Sequence, residues 1–302
     1  MRRLKKALYA WITKTFMDGC SNYNGLSVRK STRSKAQARA HFEEFDMPHA
    51  KGDLFVNPWS AYKFAQQHGF PLCIKPNVSG YSRGSHFPIR NYRELWKAAI
   101  MVKIWWPVSV VEQYLLGANY RVLATQDEIV SVIRRYPPFV DGDGEHSISD
   151  LIDIENATRD EMQLAPTIFP IKKSKSVIDY LAKQDLNLDS VPAKDERIYV
   201  YNRVALAPGG VVETIDQSTI PEANKELFQR VVKDLNANLF GIDIIFEEGI
   251  ETDYREQRCI FLELNSRPYI KMHLKPRYNK ADDLQPFFDR MDALTIADND
   301  IF

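Results

Sequence analysis

Three oxygen-bearing side chains late in the chain have the types and spacing of a divalent-cation site. Asp243 lies in Gly241-Ile242-Asp243-Ile244-Ile245-Phe246, and Glu263 and Asn265 lie in Ile260-Phe261-Leu262-Glu263-Leu264-Asn265. Both runs are rich in Ile and Phe and read as strands. Successive strand side chains point to opposite faces, so Glu263 and Asn265 share one face while Ile260, Leu262 and Leu264 share the other. A hairpin through the polar stretch 248–258 can bring Asp243 beside Glu263. Hard oxygen donors of this kind suit Mg²⁺, which takes its remaining ligands from water and substrate phosphates. The same pattern also fits a solvated polar face on a hairpin, and the pattern alone leaves both readings open.

Two further segments carry chemistry. Lys75 ends an apolar run, Phe70 to Lys75, just ahead of a loop containing Ser79, Gly80 and Gly84. A lysine so placed can meet one phosphate while loop N–H groups meet another. No Walker motif is present, and a surface loop with two glycines is common. The run Val110-Val111-Glu112-Gln113-Tyr114-Leu115 leaves a strand for Gly117 and can hydrogen-bond a purine edge through its backbone. Each signal is weak alone.

The elements that must position these residues follow from pattern. Helices are expected over 31–45, with Ser31 or Thr32 as N-cap, over 59–68 closed by Gly69, over 92–103, over 221–239 and over 286–294. Strands are expected over 70–75, 108–114, 197–205 and the two late runs, with a hairpin of 120–125 and 128–136 around Gln126-Asp127. Pro137-Pro138 and Asp141-Gly142-Asp143-Gly144 mark a turn-rich loop, and 148–189 is helical and polar. Strands and helices interleave without a βαβ rhythm, which predicts an α+β class with mostly antiparallel sheets.

Composition narrows the function classes. The chain has 302 residues, with 40 basic and 40 acidic side chains that cancel, so net charge gives no general case for nucleic acid or membrane binding. Cys20, Cys73 and Cys259 are too few and too scattered for a disulfide framework or a zinc site, and point to a reducing, cytoplasmic setting. No run reaches the roughly 18 apolar residues of a membrane span. Residues 1–16 alternate Arg and Lys with Leu4, Leu8, Trp11 and Ile12 and make a poor signal peptide. As an amphipathic helix this segment can touch a membrane surface or pack on the protein or a partner.

Taken in order, these segments resemble the ATP-grasp superfamily, in particular the ATP-grasp domain of cyanophycin synthetases and glutathione-synthetase-like bifunctional ligases. The carrying residues are Phe70–Pro76, Val111–Arg121, Asp141–Ile148, Asp150–Asn156, Asp189–Ala193, Gly209-Gly210, and the stretch from Gly241 through Glu263-Leu264-Asn265 to Met272-His273. The resemblance spans about residues 31–280. It implies two α+β subdomains gripping ATP, with a shortened N-terminal region. The expected division is a basic segment over 1–30, a small subdomain with a mobile glycine loop over 31–114, and a C-terminal subdomain over 115–302 carrying the Mg²⁺ site and an insertion at 155–198.

By the same resemblance, Lys35 and Lys75 bind nucleotide, with a helix-surface role for Lys35 equally open. The loop with Ser79, Gly80 and Gly84 covers the phosphates. Glu112, Gln113 and Leu115 frame the adenine, and Asn119 stands where the family has a ribose-binding carboxylate. Asp243, Glu263 and Asn265 hold Mg²⁺, two ions in the family, with Mn²⁺ as a substitute. Arg135 faces the transferred phosphate, and Arg267 and Lys271 face substrate anions. Arg121 and Arg203 fit either a phosphate or a structural ion pair, and His146 and His273 a turn or core role. Ala205 replaces the family's Asn before Gly209-Gly210, and the glycines usual after the Asn265 segment are absent. The implied activity is ATP-dependent and joins a carboxylate to an amine on an amino acid or peptide through an acyl phosphate, with a kinase-like phosphotransferase or a non-catalytic nucleotide-binding subunit of a ligase complex as the alternatives. The implied partners are ATP and that substrate, with a homodimer or a partner protein completing the acceptor site.

Overall fold

The computed structural model describes residues 23–32, 34–77 and 84–294. Ser79 and Gly80, and the basic segment 1–16, lie outside the described residues. In chain order the elements are α1 (Leu26–Ser31), α2 (Lys35–Glu44), β1 (Gly52–Phe55), α3 (Pro58–His68), β2 (Leu72–Pro76), β3 (His86–Ile89), α4 (Tyr92–Lys103), β4 (Ser109–Gln113), β5 (Ala118–Ala124), β6 (Ile129–Tyr136) and β7 (Phe139–Asp141). There follow α5 (Ile148–Glu161), α6 (Lys175–Ala182), β8 (Arg197–Tyr199), β9 (Val211–Thr214), α7 (Glu222–Asp234), β10 (Phe240–Phe246), β11 (Cys259–Asn265), α8 (Lys271–Leu274) and α9 (Gln285–Asp292). The predicted α+β class with antiparallel pairing is what the structure has.

The described chain divides into two compact units, one of residues 23–130, 216–269 and 285–294, the other of 131–215 and 270–284. The first unit holds a four-stranded sheet of order β1-β4-β2-β3. Phe55, Leu72, Ile74 and Val111 point to one face of it and are buried under Phe64 of α3 and Leu95, Ala98 and Val102 of α4. Alternation turns Cys73, Lys75, Val110 and Glu112 to the other face. The same unit pairs β10 with β5 on one side and β11 on the other. Phe246 and Phe261 lie against Phe228 of α7, with ring centroids 6.4 and 6.5 Å away, and Phe42 of α2 lies 5.2 Å from Phe261. Each sheet thus buries one face under helices and turns its polar side chains to the other.

The second unit pairs β6 with β9 and β7 with β8. Its core gathers Val140, Ile148, Ile152, Ile171, Val177, Leu181 and Ile198, so the 155–198 stretch contributes its own apolar residues to a core. Arg159 donates to the Phe169 and Gly209 carbonyls at 2.8 and 2.9 Å, holding the glycine turn. Gly210 has no room for a side chain, because a Cβ there would sit 2.3 Å from the Ala205 carbonyl oxygen.

Three expectations are corrected. The helix expected over 31–45 begins only at Lys35, after a separate helix that ends at Ser31, and the cap of α2 is Ser34, whose hydroxyl accepts from the Gln37 N–H while the Gln37 side chain accepts from the Ser34 N–H. Ser31 and Thr32 instead bond back to the Val28 carbonyl. The strand expected over 197–205 ends at Tyr199. The helix expected to reach Leu239 stops at Asp234, where Asn236 takes the left-handed conformation, φ 47°, that closes helices.

Gly117, in the bend from β4 to β5, has a φ within ordinary range but no space: an added Cβ would lie 2.2 Å from the Phe246 carbonyl oxygen. Gly117→Ala is expected to destabilise the protein by ~1–3 kcal/mol through forced backbone displacement, read as a lowered denaturation midpoint. An unchanged midpoint would show that the bend relaxes freely.

Candidate active site

The lysine strand and the glutamate strand meet on the uncovered face of the first sheet. Lys75 on β2 sits diagonally from Glu112 on β4, since Cys73 is the residue directly opposite Glu112. Both side chains are buried, and they form an ion pair. The second Glu112 oxygen accepts from Arg39 Nη1 at 3.2 Å. Gly52, opposite Glu112 on β1, makes room: a Cβ there would come within 2.5 Å of Glu112 Cγ and 2.9 Å of Arg39 Nη1. Burial alone would lower the Lys75 pKa, but Glu112, Cys73 and Glu263 outweigh it and raise it. Lys75 is therefore a fixed positive charge.

Lys35 reaches the same neighbourhood through a helix cap. The backbone carbonyl and side-chain oxygen of Asn77, just beyond β2, accept from the N–H groups of Lys35 and Ala36, each at 3.1 Å. The first turn of α2 is thereby docked on the end of the lysine strand. Burial lowers the Lys35 pKa, and Lys75 adds to this, while Glu263 and Glu112 act in the opposite sense. Arg39, one helical turn beyond Lys35, is a site residue that the sequence reading missed. Its signal was the i, i+4 spacing, which puts both cations on one face of α2.

On the second sheet of this unit the expected hairpin forms. Asp243 is directly opposite Glu263, and Gly241 is opposite Asn265, so all four share a face. Asp243 also faces Arg121 across β5. Arg121 clamps it with Nε to Oδ1 at 2.6 Å and Nη2 to Oδ2 at 2.8 Å. Both are buried, and Asp243 with Glu263 raises the Arg121 pKa against the effect of burial. Of the two open readings for Arg121, the ion pair is the one the structure has. Asn265 Nδ2 donates to the Gly241 carbonyl at 3.3 Å. Glu263 is half-buried, and its charge is felt by Lys35, Lys75 and Arg121.

Among the described residues no three His, Cys, Asp or Glu side chains converge as a metal cage. The Asp243–Glu263–Asn265 face offers two carboxylates and an amide. That sparse oxygen set fits Mg²⁺, which keeps waters and shares phosphate ligands. A carboxylate has about four lone-pair sites, more than the two that the Arg121 clamp uses, so a bidentate arginine partner and a cation are chemically compatible at one aspartate.

A cavity of about 360 Å³ opens beside the end of β4, lined by His49, Gln113, Tyr114, Leu115, Arg258 and Ile260 among others. Asn119, opposite Ile245, shares the face of Arg121 and Asp243. Gly84 packs on Trp106, with a virtual Cβ 2.4 Å from that ring. Arg267 follows β11 and is half-buried, and burial lowers its pKa. Arg135 lies on β6 opposite Val212, Lys271 opens α8, and Arg203 lies near the glycine turn, all three in the second unit. His146 caps a turn through Asp143 Oδ2 at 2.6 Å, and buried His273 meets Ser131 Oγ at 2.9 Å.

The fold and this arrangement can be set beside known proteins. A bifunctional glutathione synthetase from Pasteurella multocida superposes with a TM-score of 0.64 at 21% identity, covering 90% of this chain and 38% of that one. The ATP-grasp ligase PsnB, solved with a precursor variant, Mg and ADP, superposes at 0.50 and 14% identity, over 88% of this chain and 59% of that one. In sequence, cyanophycin synthetase from Synechocystis sp. (strain ATCC 27184 / PCC 6803 / Kazusa) is 32% identical over 211 residues, 69% of this chain and 24% of that protein. The chain belongs to the ATP-grasp superfamily. It spans about a quarter of the length of that curated relative. No family model matches the sequence.

The buried pair of Arg121 and Asp243 makes the stability of this candidate site testable. Asp243→Ala removes the bidentate partner of the buried Arg121 and is expected to cost ~3–5 kcal/mol, whereas Arg197→Ala, which breaks the exposed pair with Asp141, costs at most ~1 kcal/mol. Denaturant unfolding of both variants reads the difference; equal losses would contradict the burial argument. Burial pushes the Cys73 and Cys259 thiols up to about 12. At pH 8 both are expected to resist alkylation in the native protein and to react fully in denaturant, as followed by peptide mass spectrometry.

Proposed function

We propose that the chain is an ATP-dependent carboxylate–amine ligase that works through an acyl phosphate. The supporting observation is the electrostatic coupling of charged side chains from α2 and from the two sheets of the first unit. Lys35, Arg39, Lys75 and Arg121 supply four cations against the carboxylates of Glu112, Asp243 and Glu263. Four against three leaves a positive excess. That balance suits a polyanionic phosphate chain, with Glu263 and Asn265 turned to the same side for its counter-ion.

In this reading the purine edge meets the backbone of the 112–115 segment and the base enters the cavity beside Gln113, Tyr114 and Leu115. Asn119 meets the ribose. The phosphates run toward Lys75 and Lys35, with the Ser79, Gly80 and Gly84 loop beside them. Asp243, Glu263 and Asn265 would hold Mg²⁺, which when bound would screen the charge of the phosphoryl oxygens. The substrate carboxylate attacks the γ-phosphorus and ADP leaves. An amine then attacks the acyl carbon, and inorganic phosphate leaves with the former carboxylate oxygen. Arg135 is assigned to the transferred phosphoryl group, and Arg267 and Lys271 to substrate anions. No nucleophilic side chain is needed, because positioning and charge stabilisation carry the reaction. The substrate is an amino acid or short peptide in the cytoplasm, and a second copy or partner protein completes the acceptor site.

The test is an ADP-release screen with Mg-ATP and panels of amino acids and short peptides, with products identified by mass spectrometry. ADP release that requires both a carboxylate and an amine is the expected result. Release with the carboxylate alone and a stable phosphorylated product would indicate a phosphotransferase instead. Glu263→Gln and Lys75→Met are expected to lower kcat/KM at least ~100-fold. Full activity in Glu263→Gln would remove the metal assignment. Because burial holds the Lys35 pKa down, a phosphate beside it restores the charged form, so nucleotide binding takes up protons and weakens as pH rises through that pKa. Calorimetric titration at alkaline pH in buffers of different ionisation enthalpy reads that uptake, which Lys35→Met should abolish.

A further inference from the structure

The zero net charge of the chain conceals a strong local imbalance. Residues 57–108 contain seven Lys and Arg, Glu94 as the one acidic residue, and four of the five tryptophans. In the described structure this segment forms α3, β2, β3 and α4, and the two helices expose large apolar side chains among charged and polar ones.

Tyr92, Trp96, Ile100 and Ile104 follow one another at four-residue spacing, making a single stripe along α4 and just past its end. α3 extends the stripe sideways. Trp59 packs edge-on against Trp96 with centroids 5.1 Å apart, and Tyr62 lies 5.2 Å from Tyr92 and 5.9 Å from Trp96. Trp105 is 76% exposed, Val56 65%, Ile104 59%, Trp59 58% and Ile100 56%. Exposure of this order on five large apolar side chains of one region needs an explanation, whereas a single exposed residue does not. Arg93 and Lys97 run as an exposed parallel row one position further round α4, and Lys63 is exposed on α3. Lys103 is not part of this row, since its ammonium is tied to the Phe55 and Pro107 carbonyls.

We propose that this α3–α4 face docks peripherally on an anionic phospholipid surface. Charge decides between occupants. A second copy of the chain would bring the Arg93–Lys97 row against its own like charges, whereas an anionic headgroup layer complements it. Trp and Tyr beside aliphatic side chains and flanking cations are the composition of surfaces that insert shallowly at the headgroup boundary. The described residues contain no helix long and apolar enough to cross a membrane, so the association is peripheral. The docking face also leaves the proposed active site open. α3 and α4 cover the Phe55, Leu72, Ile74 and Val111 face of the sheet, and Lys75 and Glu112 stand on the other.

The experiment is co-sedimentation of the full chain with vesicles of phosphatidylcholine alone and of phosphatidylcholine mixed with phosphatidylglycerol, together with tryptophan emission. Binding to the mixed vesicles only, weakened by salt and accompanied by a blue shift, is expected. Arg93→Gln with Lys97→Gln should weaken binding about 30-fold, and Ile104→Ser with Trp105→Ser should weaken it at least as much. All four positions are exposed and outside the proposed active site, so circular dichroism and nucleotide binding should be unchanged. No binding to mixed vesicles, or equal binding by wild type and both double variants, would overturn the proposal. Self-association or capture of an acidic protein, lost in the Trp105 variant without any vesicle binding, would overturn it in favour of a protein partner. Because the readout is vesicle binding and not turnover, this proposal and the ligase reading fail separately.

Discussion

The Glu112 carboxylate is the constraint on which the candidate site is built. It is almost out of water, and it accepts from Lys75 on β2 and Arg39 on α2. A buried carboxylate left unpaired costs several kcal/mol, so the two cations must stay where Glu112 puts them. The net gain in stability from such a triad is small, because desolvation offsets most of the attraction. Its yield is position. A lysine at a strand end is ordinarily a flexible chain with about 2 kcal/mol of rotamer entropy; here its head group is held in place. Gly52 belongs to the same arrangement, since any side chain there would occupy the volume that Glu112 and Arg39 use.

Arg121 and Asp243 repeat the device on the neighbouring strands, with a bidentate geometry that fixes both partners. The two pairs together answer much of the local charge, and both Lys35 and Lys75 feel the carboxylates of Glu112 and Glu263. Lys35 has its pKa lowered by burial, and an anion bound beside it would raise that pKa again. Preorganised cations of this kind cost nothing to reorient during a reaction.

Legibility in the sequence followed the range of the interactions. The hairpin of β10 and β11, with Asp243 against Glu263, could be read because period-two alternation dictates register wherever one face is buried. α4 matched from end to end because Asn91 caps it and its apolar spacing is regular. The cap of α2 was misread because Ser31, Thr32 and Ser34 are chemically equivalent candidates, and the contact that distinguishes them comes from Asn77, more than forty positions away. β1 carries Gly and Asp and makes a poor strand by composition; pairing with β4 imposes its conformation. Arg121 and Asp243 are 122 positions apart, and nothing local in either segment announces the other. Arg39 was visible only as an ordinary helix-surface arginine until Glu112 appeared beside it.

One sheet with two unlike faces reconciles the proposed nucleotide site with the proposed lipid-facing surface. Strand alternation sends Leu72 and Ile74 one way and Cys73 and Lys75 the other, so a few residues of β2 serve both a helix-covered core and a charged face. Both proposed ligands are anions, and their repulsion would oppose joint binding if they lay close together. The helix layer between them is about 10 Å thick, comparable with the Debye length of about 10 Å at 0.1 M salt. Phosphates on one side and headgroups on the other are therefore largely screened from each other at physiological ionic strength, and weak mutual repulsion should emerge only as salt is lowered. Such a layer would let a chain of zero net charge hold the two proposed anionic ligands independently, with the compensating acidic residues distributed over the rest of the molecule.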